Sequence, residues 1–111
     1  MPRLLIKHAV GGRTFIDSGK QPGVAYVLEP ADGSKWLIEV RVAPELEEQV
    51  AELLRWKDEL NVFIFHTLQD GRQEKVWYYT GNGGISYDEA DRLLRVISTR
   101  ELRYLPSEYW E

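Results

Sequence analysis

A chain of 111 residues, 43% hydrophobic and 29% charged, has the size and composition of one globular domain with its own core. The absence of cysteine excludes a disulfide framework, a thiolate nucleophile and a cysteine-ligated metal. The net charge of −4, divided as +2 over residues 1–41 and −6 over residues 42–111, argues against nucleic-acid binding, which depends on many lysine and arginine contacts to phosphate.

No apolar run is long enough for a membrane span or a signal-peptide core, so a cytoplasmic protein without a membrane partner is expected. Residues 3–10 alternate loosely and read as a first strand ended by Gly11-Gly12. Thr14-Phe15-Ile16 is a candidate short strand, and residues 17–23 read as loop with a turn at Gln21-Pro22-Gly23. Val24–Glu29 and Lys35–Val42 form an expected hairpin. In its second strand Trp36, Ile38, Val40 and Val42 fall on one face.

Pro44 suits a first helical turn, and Leu46, Val50, Leu53, Leu54 and Leu60 form an apolar stripe at helical spacing. Glu45, Glu47 and Glu48 crowd the start of that helix and Arg55 and Lys57 its end, the sense favoured by the helix dipole. Asn61–Thr80 reads as two strands turning at Asp70-Gly71. Both carry apolar residues on both faces, which calls for cover on both.

After the Gly-rich turn at residues 81–84, Ser86-Tyr87-Asp88-Glu89 has the form of a capping box. Ala90, Leu93, Leu94 and Ile97 then give the stripe of a second helix. The order β-(β)-ββ-α-ββ-α predicts an α+β domain over residues 1–98, a mostly antiparallel sheet of four to six strands with two helices packed on one face. Residues 99–111 form an aromatic tail, expected to dock back or to reach a partner.

Chemistry-bearing motifs are scarce. Gly81-Asn82-Gly83-Gly84 lacks the lysine and serine or threonine of a phosphate loop, and Asp88 and Glu89 beside it would repel an anion. His8 and His66 have no metal-ligand spacing around them, and no serine sits in a nucleophile elbow. No cofactor and no catalytic set are expected.

The aromatic residues stand out. Tryptophan and tyrosine bury large areas while keeping a polar handle, which suits protein interfaces. The leading expectation is a non-catalytic interaction module, an adaptor or inhibitor, that binds another protein or a second copy through Trp77, Tyr79, Tyr104, Tyr109 and Trp110. The alternative is a small-ligand site or modest enzyme with His66 and Tyr78 lining a cleft between sheet and helix. A third possibility, nucleic acid held by stacked aromatics with Arg3, Lys7, Arg13 and Arg41, requires those groups to share one face.

Overall fold

Period-two alternation governs far more of the chain than helical spacing does. The computed structural model describes residues 3–33, 35–80 and 84–104. The strands are β1 (Arg3–His8), β2 (Thr14–Asp17), β3 (Val24–Pro30), β4 (Trp36–Val42), β5 (Leu60–Thr67), β6 (Gln73–Tyr79), β7 (Ile85–Asp88), β8 (Leu93–Ser98) and β9 (Arg100–Tyr104). A 3-10 turn over Pro44–Leu46 leads into α1 (Glu47–Arg55), which joins β4 to β5.

The strands form two antiparallel sheets, one ordered β2-β1-β5-β6-β9 and the other β3-β4-β8-β7. Hairpins alternate between them. β1-β2 and β5-β6 belong to the first sheet, β3-β4 and β7-β8 to the second, and β9 returns to the first. The inner faces share one apolar core. Leu4, Ile6, Val62, Ile64, Val76 and Tyr78 from the first sheet are 0% exposed, as are Ile38, Val40, Leu94 and Val96 from the second. The alternation in Trp36–Val42 is present as expected, since Ile38, Val40 and Val42 are all buried. Leu46, Val50 and Leu53 of the helical segment join that core, and α1 lies beside β2.

The expected two-helix α+β domain is corrected to a β-sandwich with a single helical segment among the described residues. The second helix predicted over residues 86–97 is the β7-β8 hairpin. Its stripe splits between faces, for Leu94 is fully buried towards the core while Ile97 is exposed on the opposite side. Asp88 accepts the amide N–H of Asp91 at 3.3 Å, so it organises the turn rather than a helix start. Arg92, in the same turn, has φ 51°, a left-handed conformation usually signalled by glycine. β8 also lies between β4 and β7, so both edges of its backbone are paired, and the branched Val96 and Ile97 suit that setting.

Two segment boundaries also differ. Leu60, read as the end of the helix, opens β5, and Lys57 lies exposed beyond α1. Arg100–Tyr104, read as part of the tail, pairs with β6 as the outermost strand of the first sheet.

Where the chain enters β7, Gly84 passes between backbone groups. Its carbonyl accepts the amide of Ile97 at 2.7 Å, and an added Cβ would meet the oxygen of Thr80 and, at 2.8 Å, that of Ile97. Both oxygens belong to backbone, which cannot swing aside as a flexible side-chain end could. Gly84→Ala is therefore expected to lower the unfolding free energy by about 2 kcal/mol, measured by urea titration. A loss below about 0.5 kcal/mol would mean that this crossing relaxes freely.

Candidate functional site: the outer face of the first sheet

Alternation in the central hairpin sends Val62, Ile64, Val76 and Tyr78 inwards and turns Phe63, Phe65, Lys75, Trp77 and Tyr79 to the other face. Strand register lines these residues into rows. Leu5 pairs with Phe63, Phe63 with Trp77 and Trp77 with Leu102, so an apolar row crosses β1, β5, β6 and β9. Arg3, Phe65, Lys75 and Tyr104 form the next row, and Tyr79 pairs with Arg100 on the other side. Among the described residues, the cover expected on both sides of the hairpin is present on only one. No element among the described residues lies over this face.

The aromatic rings pack against one another and against cations. Trp77 stacks on Tyr79 with ring centroids 4.4 Å apart and meets Phe63 at 5.7 Å. The Lys75 ammonium lies 4.5 Å from the Phe63 ring centroid, the Arg100 guanidinium 5.0 Å from Tyr79 and the Arg3 guanidinium 5.7 Å from Phe65. Such contacts hold the rings in place, with Phe63, Trp77 and Tyr79 half-buried and Phe65 buried. The Trp77 indole N–H is shielded and has no acceptor among the described residues. Asp17 is the one acid that register places on this face, opposite Leu5. It is consumed by Arg3, whose Nε and Nη2 donate to its carboxylate at 2.9 and 2.7 Å. That bidentate pair, helped by the Gly19 N–H, outweighs burial and holds the Asp17 carboxyl below its ordinary range.

Of the residues expected to form a protein-binding patch, Trp77 and Tyr79 turn outwards on β6 and Tyr104 stands in register with Lys75 on the adjacent β9, whereas Tyr109 and Trp110 lie outside the described residues. Phe63, Phe65, Lys75, Leu5, Leu102 and Arg100 complete the face and were not singled out from sequence. Phe63 and Phe65 alternate out of phase with Val62 and Ile64, and that phase was the available signal.

The expected sheet-helix cleft is a groove between the two sheets instead. It has a volume of ≈ 490 Å³ and is lined by Ser18, Val24, Ala25, Tyr26 and His66. His66 lies near the end of β5, and α1 leads into the opposite end of that strand. Burial lowers the His66 pKa below its ordinary value, against the pull of Glu74 across the strand pair. Tyr78 is not in the groove. It is fully buried, its hydroxyl has no partner among the described residues, and burial pushes its pKa up to about 12. His66 and Tyr78 are therefore not brought together as a site.

Near them, Arg103 bridges Glu74 and Glu101 at 2.8 and 3.0 Å, and the Trp36 indole donates to Glu101 at 3.1 Å. No cluster of metal-ligating side chains occurs among the described residues. No helix among them is long and apolar enough to cross a membrane. No protein-family model, curated protein or solved structure matches this chain.

Proposed function

We propose that this chain is a non-catalytic interaction module, an adaptor or inhibitor, that binds another protein through the outer face of its first sheet. The supporting observation is the row Leu5–Phe63–Trp77–Leu102, flanked by Arg3, Lys75 and Arg100, on a chain whose net charge is −4. Aromatic and apolar side chains gathered on one sheet face favour an apolar partner surface. Trp77 sits at the centre of the face, where binding energy concentrates in protein interfaces.

Trp77→Ala is expected to weaken partner binding by about 2 kcal/mol, roughly 30-fold. Arg41→Ala, on the second sheet, should leave affinity unchanged. The experiment is affinity capture with the wild type and both variants, followed by calorimetry on the captured protein. Equal affinity for the wild type and Trp77→Ala would remove this face from consideration. The nucleic-acid alternative gains Arg3 from the same face, but Arg41 belongs to the other sheet and Arg13 stacks over Phe15, 5.2 Å from its ring centroid. Tight oligonucleotide binding that falls steeply with salt, and that is lost in Trp77→Ala, would replace the protein-binding proposal.

A further inference from the structure

The four outer strands of the two sheets differ in how well they resist pairing with another strand. β2 and β7 have four residues each, and the β1-β2 pair carries a register shift between Ile6 and Lys7. β9 presents Arg100, Glu101 and Arg103. Short length, bulges and charge are the usual protections of a sheet edge. β3 has seven residues, with Glu29 its one charge, and among the described residues it pairs with β4 alone.

Hydrogen bonds at both ends of the β3-β4 hairpin fix which backbone groups face outwards. Ala43 N–H donates to Gly23 O at 2.9 Å, and Ala31 N–H donates to Lys35 O at 2.9 Å. In an antiparallel pair such bonding positions alternate, so Ala25, Val27 and Glu29 bond to β4. Tyr26 and Leu28 then turn their N–H and C=O groups to the open edge. The groove lined by Ser18, Val24, Ala25, Tyr26 and His66 runs along that edge, since consecutive residues from both faces of β3 border it.

We propose that β3 is a self-pairing edge, through which two copies of this chain join their second sheets in an antiparallel, two-fold pairing centred on Val27. In this register Tyr26 bonds to Leu28 of the second copy and the reverse, which satisfies the outward groups on both strands. Glu29 stands opposite Ala25 of the second copy, so no like charges meet. Val27, 53% exposed in the single chain, lies directly against its counterpart. Leu28 of the second copy, inward-facing beside Tyr26, enters the groove beneath the edge. Pro30 has no N–H to offer and ends the pairing. Exposed Val27 against its own counterpart, with the two Glu29 carboxylates kept apart, favours a second copy as the occupant, and the pairing is independent of the outer face of the first sheet.

Light scattering on the intact chain tests the pairing. The expected mass is twice 12.9 kDa, falling to the single-chain value in Leu28→Pro, which removes an outward N–H and leaves the bonds to β4 in place. Val27→Cys gives a second measurement should the proline variant not fold. The chain has no other cysteine, and the central non-hydrogen-bonded pair would bring the two Cα atoms to about 4.5 Å, within disulfide reach. Val27→Cys should therefore cross-link under mild oxidation, and Ala25→Cys, whose counterparts lie four positions out of line, should not. A monomeric wild type at high concentration would overturn the proposal. So would equal cross-linking of both cysteine variants, or a dimer that survives Leu28→Pro but is lost in Trp77→Ala.

Discussion

Alanine at Ile64 is expected to lower the unfolding free energy by about 4 kcal/mol, whereas alanine at the adjacent Phe63 should lower it by only about 1–2 kcal/mol. The two residues are neighbours on β5 and of comparable apolar character, but they face opposite ways. Ile64 lies between Leu4 and Val76 in register, all three are 0% exposed, and the second sheet covers them. Removing its side chain leaves a cavity that strands paired on both sides cannot close. Phe63 has the Lys75 ammonium and Trp77 ring for company and, among the described residues, no second layer above it. Urea unfolding of the two variants measures the difference directly. Similar losses at both positions would mean that the hairpin is covered on both faces, and the one-sided core would be wrong.

Methionine at Arg3 is the second large effect, about 3 kcal/mol, because it strands the Asp17 carboxylate. Asp17 is 5% exposed and receives both guanidinium hydrogen bonds from Arg3. The Gly19 N–H remains, at 2.9 Å, but it cannot compensate for the lost charge. Because the folded-state pKa of Asp17 is lowered, the group contributes stability above its ordinary value of 3.8 and loses it as pH falls through the lowered one. The gap in stability between wild type and Arg3→Met should accordingly be full near neutral pH and narrow below about pH 4. Thermal melts across that range provide the check. A gap independent of pH would show that Arg3 acts through its contact with the Phe65 ring and not through the ion pair.

The strand content was legible where one side of a strand is buried and the other wet. Trp36–Val42 is such a case, because alternation fixes both the element and its inward residues. The hairpin at Asn61–Thr80 was equally plain, with Gly71 at φ 88° in its turn. The β7-β8 hairpin was not legible for two physical reasons. Leu93, Leu94 and Ile97 satisfy helical spacing while lying on both faces of a strand, and its turn places Arg92 in the left-handed region without a glycine to announce it. β9 was read only as part of an aromatic tail, because Arg100, Glu101 and Arg103 break the apolar alternation of a strand. Their partners, Glu74 for Arg103 and Trp36 for Glu101, lie far away in sequence. For the candidate face, Trp77 and Tyr79 stood out by residue type. The row that makes them a surface depends on pairing between distant strands, which one sequence does not reveal.

Because successive hairpins go to alternate sheets, neither sheet can be assembled from a contiguous stretch of the chain. β1 waits for β5, which is more than fifty residues away, and β4 waits for β8 across a similar gap. Each hairpin can close early and locally, yet none has an opposing layer until a segment from elsewhere arrives. Such connectivity places this chain among slow folders, with half-times of milliseconds to seconds, and ties its two layers into one cooperative transition. A ribosome-bound chain lacking its last two strands would hold every other hairpin but leave β4 and β6 each with a bare edge. Folding during synthesis is thus deferred until β8 and β9 have emerged, and until then the nascent chain presents unpaired strands.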